Sequence, residues 1–566
     1  MKNNIRKMSR SDYKIILQIS AGEPTMQSAS VSSAKLVFYF SSDANMFNQT
    51  HLHLWRRKYM ELTLKRNNIP FYRKQADSGV THEETMEMIV PDSLPDIQDV
   101  LDADGTAVLR SKECDNGKIT VSGFVRANVV YTPDGGGIAR GLNTQIPFTT
   151  TIDAAEVTPE SKALANTELS GIEARALNSR KLSIRAFVNV SASAYNEGKF
   201  SRSPTPEDCQ EDVEFLTEIC ELNPVTDISE KAFTISDELS LPAGKPPISL
   251  IIKSGVSLSA DEYRVAGSKL ILKGSANVLI VYASMGMSEL NSANLIVPFS
   301  EVIDLSDNDG AEYKTFDVSL APTGLYIQES GSDSATTVSV EITAVAQAVV
   351  CKKFEASYIS DAYSTAYDAD CASEEHYVPS LESEQTFKET VRETLPTAVN
   401  ARSIVCTRVF PGETVRGADG YGVAFKVTVT YCSEDGRTMT ASGKLNAFFA
   451  YPGLPYINDI RATASFGEPF AAPVAGGIEV RIPVELHTRV FKNVHINPVY
   501  SVNLNDEMPK DSAKLPSIVL CRVGSDDTLW NLAKRYNSTR ELIHLTNEFE
   551  GDTPDPGSLL VIAKKR

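Results

Sequence analysis

Three short clusters of acidic, histidine and glycine residues are the places where this chain could do chemistry. His82-Glu83-Glu84 begins like a zinc-binding HExxH helix, but Met86 stands where the second histidine belongs. Asp102-Ala103-Asp104-Gly105 has the spacing of a calcium loop, but the first and twelfth ligand positions hold Val100 and Ser111. We therefore expect these two carboxylates to cap turns or face solvent.

The third cluster is Gly135-Gly136-Gly137, which follows Asp134 between two strand-like runs. It predicts a hairpin turn with positive φ rather than a phosphate cradle, which would open a helix with Lys-Ser or Lys-Thr. The chain has no Gly-x-Ser-x-Gly sequence that would place a serine nucleophile. We predict a protein without catalytic residues, metal site or cofactor.

The cysteines support a structural interpretation. Eight are present, without a Cys-x-x-Cys pair or zinc-ligand spacing. Several lie in apolar, strand-like runs, so buried reduced thiols are expected, with a disulfide framework as the alternative. They stand at positions 114, 209, 220, 351, 371, 406, 432 and 521.

Composition limits the classes of partner. A chain of 566 residues with 42% hydrophobic residues predicts several globular domains. A net charge of −18 disfavours nucleic acid and anionic membrane as partners. No apolar run is long enough to span a bilayer, and Ile15-Ile16-Leu17 is too short for a secretory segment. We therefore expect a cytoplasmic protein.

Residues 1–59 differ from the rest of the chain. They hold nine Lys and Arg but three Asp and Glu, and they show no sustained period. We expect either a disordered extension or an incorrect start, with Met60 as the true initiator. Residues 60–80 then form a lead-in.

The chain between residues 81 and 510 repeats itself. Pro91 and Pro242 are 151 residues apart, and Tyr131, Tyr282 and Tyr431, each at the end of an alternating strand, are 151 and 149 apart. A period near 150 residues in several registers predicts three copies of one domain. Period-2 patterning with Gly, Asn, Asp and Pro at turns predicts an all-β sandwich or open barrel for each copy. We place the copies at 81–231, 232–386 and 387–510.

The last fifty residues have a different pattern. The apolar run 518–523 predicts a strand, and Asp527 is the expected N-cap of a helix that follows it. A second helix is predicted from Ser538-Thr539 to Asn547, and a second strand at 559–563 after Pro556-Gly557. The residues expected to face inward from the helices are Leu529, Leu532, Ala533, Tyr536, Leu542, Ile543 and Leu545.

This stretch, residues 515–566, resembles the LysM domain, a small α+β fold of order βααβ. The family pattern GDTLWxIAxxY, a second helix ending in LxxxN, and PGQxLxIP is matched by Val523, Asp527-Thr528-Leu529-Trp530, Ala533, Tyr536, Leu542, Asn547, Pro556-Gly557, Leu559 and Ile562. Two positions depart from it, because Ser525-Asp526 replaces Pro-Gly and Ala563 replaces the final proline.

LysM domains usually bind N-acetylglucosamine chains through the loop before the first helix and the loop after the second. The resemblance implies a ligand or partner site at Ser525, Asp526, Asp527, Thr528, Leu529, Glu548, Phe549, Glu550, Gly551, Asp552 and Thr553. One aromatic ring among four carboxylates disfavours sugar stacking, so a solvated acidic loop and a protein contact surface are the two interpretations. Trp530 is either a sugar platform or packs against the module's own second strand.

The first repeat resembles the SPOCS domain of spore coat proteins. The resemblance rests on the run from Met88 to Tyr131, on the strand at 146–153 and on Asn178-Ser179-Arg180-Lys181-Leu182. The second copy keeps Pro246-Pro247-Ile248 but lacks the Asn-Ser-Arg-Lys-Leu run, and the third has diverged most. Arg180, Lys181 and Arg185 form either a basic contact stripe or the wet face of a half-buried strand.

Tandem SPOCS units followed by one LysM domain resemble a spore-envelope morphogenetic protein. This implies a non-catalytic assembly scaffold in the mother cell, at the forespore surface. The implied partner is the ATPase of the coat basement layer or another spore-envelope protein, with LysM as the docking module. The alternatives are a peptidoglycan or cortex protein whose LysM binds glycan, and a polysaccharide-processing enzyme that LysM targets.

Overall fold

Alternation of apolar and polar residues makes most of the described chain extended strand. The computed structural model describes residues 59–565 except 63, 203–204, 206–211, 287–288, 306–312, 331–335, 458, 511–515 and 548–550. The predicted extension, apart from Tyr59, lies outside these residues. Within the described ranges, no helix has the length and apolar character needed to cross a membrane.

The strands up to the middle of the chain are β1 (Tyr59–Leu62), β2 (Asn67–Ile89), β3 (Ile97–Asp115), β4 (Lys118–Pro133), β5 (Arg140–Asp153), β6 (Lys162–Asn178), β7 (Lys181–Arg202), β8 (Val213–Leu222), β9 (Val225–Ser240), β10 (Leu250–Ala266), β11 (Lys269–Ala283) and β12 (Leu290–Asp304). The later strands of the large β region are β13 (Tyr313–Ser330), β14 (Thr337–Lys352), β15 (Phe354–Ser364), β16 (Tyr367–Ser373), β17 (His376–Pro396), β18 (Ala401–Arg416), β19 (Gly420–Ser433), β20 (Thr438–Ala450), β21 (Asp459–Phe466), β22 (Phe470–Val474), β23 (Gly477–Ile496) and β24 (Val499–Pro509), with a 3₁₀ turn at Leu454–Tyr456. The terminal elements are β25 (Ile518–Arg522), α1 (Leu529–Tyr536), α2 (Arg540–Asn547) and β26 (Leu559–Ala563).

The strands form three sandwiches with the same strand order. In the first, the sheet β3-β4-β5 faces β2-β7-β6. The second pairs β10-β11-β12 with β9-β14-β13, and the third pairs β18-β19-β20 with β17-β23-β21, where β22 also pairs with β23. Each sandwich encloses its own apolar core, built from the inward face of both sheets. The all-β character predicted from the alternating pattern is confirmed.

Equivalent tyrosines mark the corresponding place in each sandwich. Tyr131, Tyr282 and Tyr431 are 0%, 0% and 1% exposed. The first two donate their hydroxyl groups to backbone carbonyls in the preceding proline-rich loop, at Pro95 (2.9 Å) and Pro246 (3.0 Å). These hydrogen bonds satisfy the buried hydroxyl groups and hold that loop against the sheet.

The three sandwiches close into a ring. In each case the first strand of one three-stranded sheet contacts the last strand of the neighbouring one: β10 contacts β5, β18 contacts β12, and β3 contacts β20. The first two sandwiches also share a six-stranded sheet, because β2 pairs with β9 at Tyr72 and Val225. The domain boundaries predicted at 81, 232 and 387 fall inside β2, β9 and β17.

The segments that flank the sandwiches meet in a further small β unit, which the sequence pattern did not predict. Here β8 pairs with β15, and β24 lies between β1 and β16. Its core includes Leu62, Ile359, Val502 and Leu504. The terminal β-α-α-β unit packs on this small unit, since Tyr363 of β15 belongs to the terminal unit's own core.

Candidate docking site

The terminal unit has the predicted order of strand, helix, helix and strand. β25 and β26 pair antiparallel, from Ile518 opposite Ala563 to Arg522 opposite Leu559. The apolar side chains of both helices cover one face of this pair and form a compact core with Cys521 and Ile562. The two loops predicted to carry the site lie at one end of this unit.

The first loop is held by its own side chains. Asp527 accepts a hydrogen bond from the Gly524 amide (2.9 Å) and one from the Arg535 guanidinium (2.9 Å). The hydrogen bond from Gly524, supported by Arg535, lowers the pKa of Asp527. The N-cap of α1 is Thr528, whose hydroxyl accepts from the Asn531 amide at 3.2 Å, so the prediction of Asp527 as the cap was wrong. Asp527 instead closes the turn before the helix.

The two predicted loops touch through the backbone. The Leu529 amide donates to the Asp552 carbonyl at 3.1 Å. The Leu529 side chain is 0% exposed, so its predicted role in direct partner contact is wrong: it is a core residue. The remaining described site residues are exposed or half-exposed: Ser525, Asp526, Asp527, Thr528, Gly551, Asp552 and Thr553. Glu548, Phe549 and Glu550 lie outside the described residues.

Trp530 also contacts a strand outside the terminal unit, which neither predicted interpretation included. Its ring is 5% exposed and packs edge-on against Tyr363, with the centroids 4.8 Å apart. Its indole N–H donates to Asp361 at 2.8 Å. Both contacts are to β15, outside the terminal unit, and Arg540 covers the ring at 5.4 Å. Trp530 therefore cannot serve as a sugar platform in this arrangement, and it shares its buried core with both the unit's own second strand and Tyr363 of β15.

Polar contacts complete the seating of the terminal unit on β15. The Tyr363 hydroxyl donates to the Ser538 carbonyl at 2.7 Å, and burial raises the pKa of this tyrosine. Lys534 pairs with Asp361 at 2.6 Å. Charge-assisted hydrogen bonds of this kind, around a buried aromatic pair, orient one unit on the other. The described site residues of the candidate loops remain exposed or half-exposed, apart from Leu529.

Three apolar residues of the terminal unit face solvent on its open surface. Ile518, Leu520 and Leu559 are 62%, 70% and 67% exposed, on the face of the strand pair turned away from the helices. Leu545 was predicted to face inward, but it is 75% exposed, and Ile543 is the buried residue of α2. The terminal unit therefore offers apolar as well as acidic contact surface.

A buried polar cluster at the junction of the three sandwiches is the feature that the sequence pattern did not reveal. Asp102, Lys253 and Cys406 belong to three different sandwiches, yet each pairs with the residue just before the buried tyrosine of its own sheet. Each also follows a one-residue β-bulge, at positions 101, 252 and 405. The three side chains come together where the sandwiches meet, around a gap too small for a water molecule, with Asp104, Arg408 and Thr430.

Ion pairs across the sandwich boundaries hold this cluster. Lys253 lies 2.6 Å from Asp102 and 3.4 Å from Asp104, and its side chain is 5% exposed. Arg408 adds an ion pair to Asp104 at 3.3 Å and a hydrogen bond to the Gly105 carbonyl at 3.1 Å. The expectation that Asp102 and Asp104 cap turns or face solvent was therefore wrong.

The protonation states follow from this arrangement. Burial alone would lower the pKa of Lys253, but the facing carboxylates of Asp104 and Asp102 raise it instead. Burial opposes ionisation of Asp104, but the Arg408 and Lys253 charges and the Gly105 amide keep its pKa below the usual value. Burial raises the pKa of the Cys406 thiol. The cluster thus combines a charged Asp104 carboxylate and Lys253 ammonium with a neutral thiol. A neutral, buried thiol is a poor nucleophile, so the cluster fits a role in holding the sandwiches together.

Arg180 joins the proline-rich loop to the hairpin between β6 and β7. It donates to the carbonyls of Val90 (3.0 Å) and Leu94 (2.9 Å), and to the carboxylates of Asp92 (2.9 Å) and Asp96 (3.0 Å). Lys181 and Arg185 instead pair with Glu87 and Glu83 on the neighbouring strand β2. The predicted basic contact stripe is therefore absent from this surface, because acidic neighbours already engage all three cations.

We expect Arg180→Ala to lower the free energy of unfolding by about 2 kcal/mol. Two loop carbonyls and two carboxylates lose a charged hydrogen-bond donor at once. Hydrogen exchange should show the loss first at the amides of Val90 and Ile97, which bond to Arg180 and Ser179 carbonyls. Lys181→Ala is the matched control, since its ion pair is largely exposed and should contribute less than about 1 kcal/mol. Equal protection of those amides in both variants would refute the conclusion that Arg180 holds the proline-rich loop, an arrangement that we call the clamp.

Residues 96–177 match the family model described as SipL, SPOCS domain. This part of the chain is therefore similar to a SPOCS domain. The match covers β3 to β6 of the first sandwich and includes the buried Tyr131 and the junction carboxylates. No curated protein and no solved structure matches the chain. The SPOCS match suggests a role connected with the spore coat, and the SPOCS domain is not a known enzyme family.

The SPOCS match begins within the proline-rich loop, at Asp96, and ends just before the Arg180 hairpin. The clamp therefore ties together the two ends of the matched SPOCS segment. Among the described residues, seven cysteines are free, while Cys209 lies outside them. The described part of the chain contains no group of three or more His, Cys, Asp or Glu side chains placed to hold a metal ion.

Proposed function

We propose that this protein is a non-catalytic scaffold for assembly of the spore envelope, acting in the mother cell at the forespore surface. The SPOCS match at 96–177 carries the proposal, since it ties the chain to the spore coat. We further propose that the three sandwiches are SPOCS-like copies, at about 81–231, 232–386 and 387–510, and that residues 515–566 are a LysM domain. The common strand order and the β-α-α-β unit support these assignments.

The proposed partner of the terminal unit is the ATPase that forms the basement layer of the coat. Its contact surface consists of the loops around Asp526 and Asp552, which are exposed. A glycan ligand is the alternative. The burial of Trp530 favours the protein partner, because it removes an aromatic ring on which a sugar could stack.

The test uses the full chain, because the terminal unit shares its core with Tyr363. Binding to the basement-layer ATPase and to chitin oligomers is measured in parallel by biolayer interferometry. We expect ATPase binding without chitin binding, and a loss of at least about tenfold, or 1.4 kcal/mol, in Asp526→Lys/Asp552→Lys. Glu541→Lys, an exposed charge reversal on α2, is the control and should bind as the wild type does.

Two results would overturn this proposal. Chitin binding without ATPase binding would assign the protein to the cortex or wall. ATPase binding that is equally strong in the loop variant and the control would move the contact surface away from the predicted loops.

A further inference from the structure

The third sandwich carries an apolar patch on the outer face of its sheet β18-β19-β20. Val415, Gly422 and Phe448 lie side by side across the three strands. Val415 is 56% and Phe448 is 62% exposed. A Cβ atom at Gly422 would have no neighbour within 4 Å, so the glycine leaves an indentation between the two exposed side chains. We call these three residues the apolar row.

The same row is polar in the other two sandwiches. In the first it consists of Ser111, Ser122 and Thr149, and the two serine hydroxyls lie 2.7 Å apart. In the second it consists of Glu262, Lys273 and Ser300, with an ion pair of 3.1 Å between the first two. The fold itself therefore does not require apolar residues here. Their presence on the third sandwich alone indicates a contact with another molecule.

Two lysines accompany the apolar row on the same face. Lys426 and Lys444 lie directly opposite each other on β19 and β20. Like charges in that position repel each other. Within the described part of the chain, neither has an acidic partner. A protein of net charge −18 thus presents a local surface that is both basic and apolar.

A surface of complementary chemistry exists on the second sandwich. Asp237, Glu238, Glu341 and Tyr326 line a cleft of about 380 Å³ at the end of the sheet β9-β14-β13. Tyr326 is 58% exposed. No lysine or arginine among the described residues forms an ion pair with the three carboxylates. We call this the acidic cleft.

The acidic cleft is also specific to one sandwich. Glu341 comes three residues after the buried Val338, and the same spacing from Leu182 and Ile478 leads to Arg185 in the first sandwich and Arg481 in the third. Both arginines are engaged, with Glu83 and Glu479 respectively. Only the second sandwich has an unpaired acid there, next to an exposed aromatic ring.

We propose that the apolar row of one copy of this protein binds the acidic cleft of a second copy. Phe448 would enter beside Tyr326, while Lys426 and Lys444 approach the three cleft carboxylates. The two surfaces belong to different sandwiches, so the contact is head-to-tail and leaves one free surface at each end. Such a contact extends into an open chain of molecules unless the rotation closes a ring. This inference goes beyond the proposed docking function and does not depend on it.

The test measures self-association of the full protein by sedimentation velocity across about 1 to 100 µM, a range that detects micromolar dissociation constants. One variant, Val415→Ser/Phe448→Thr, copies the first sandwich's polar row. The other, Glu341→Arg, copies the residue found in both other sandwiches. These choices keep side chains that the same fold already accepts. Ile219→Asp, at a residue 68% exposed on β8, is the control.

The wild type and the control should sediment faster with concentration, as chains longer than dimers, while each variant alone stays monomeric. An equimolar mixture of the two variants should form dimers and stop there, because each retains one intact surface. Three results would overturn the proposal: a monomeric wild type, self-association of either variant at wild-type strength, or a mixture that stays monomeric. Since no ATPase is present, these outcomes are independent of the docking experiment.

Discussion

Lys253→Met should destabilise the protein by about 3–5 kcal/mol. The substitution leaves Asp102 and Asp104 in the centre of the ring without the ammonium group that lies 2.6 Å and 3.4 Å from them. Removing one partner of a buried ion pair is costly because the other charge stays buried and uncompensated. Urea unfolding at pH 7.5 measures the effect. Lys273→Met removes an ion pair with both side chains more than half exposed, and should cost less than about 1 kcal/mol.

The destabilisation caused by Lys253→Met should become smaller as the pH falls. In the wild type, the pKa of Asp104 is lowered, so its contribution is present above the unfolded pKa and is lost only as the pH falls through the lower folded pKa. The pKa of Lys253 is raised, so its contribution is present below its unfolded pKa and is lost only in strong base. In the variant, Asp104 keeps only its ion pair with Arg408 and Asp102 has lost the Lys253 ammonium, so taking up a proton relieves uncompensated buried charge. The difference from wild type should therefore be smaller at pH 5 than at pH 7.5.

Asp102→Asn in the Lys253→Met background separates charge from packing. The amide is nearly the same size but uncharged, so part of the lost stability should return. A double variant no more stable than Lys253→Met, or a single variant within about 1 kcal/mol of wild type, would show that the ion pairs do not hold the ring together.

Tyr363→Ala should release the terminal unit from β15. The ring packs on Trp530 at 4.8 Å, and its hydroxyl donates to Ser538 at 2.7 Å. Truncating a buried aromatic side chain costs about 3–5 kcal/mol, and here that loss falls on the contact between two units. Trp530 reports on the result directly, because the chain contains two tryptophans and Trp55→Phe leaves Trp530 alone.

In the Trp55→Phe background, Tyr363→Ala should shift Trp530 emission to the red and increase its quenching by acrylamide. Hydrogen exchange in α1 should also become faster. Tyr377→Ala, at a tyrosine 49% exposed, is the control and should leave Trp530 emission unchanged. Unchanged emission in both variants would mean that the terminal unit is held by contacts other than those of Tyr363.

Local patterns were sufficient for the secondary structure and for part of the family assignment. Period-2 alternation makes each strand's inward face apolar, and this property can be read from neighbouring residues alone. Helical spacing of apolar residues is also a local property, and it predicted the face of α1 formed by Leu529, Leu532 and Ala533, which is buried. The SPOCS resemblance rested on a local run in the first repeat, and residues 96–177 match that family.

Local patterns failed wherever a contact joins residues far apart in sequence. Asp102 and Lys253 are separated by 151 positions, and a β-bulge before each changes which face the side chain occupies. The alternating pattern carries no sign of that bulge, so the carboxylates were predicted to be exposed. The contacts of Trp530 with Asp361 and Tyr363 were not predicted, because these two residues lie about 170 positions earlier.

The sequence by itself therefore determined the strands, the two helices, the repeating period and the SPOCS resemblance, because each depends on neighbouring residues. Only the tertiary structure decided how the sandwiches close into a ring, why Asp102 and Asp104 are buried, and which face of the terminal unit remains open. These features depend on which surfaces pack together, and packing between distant segments leaves no period in the chain.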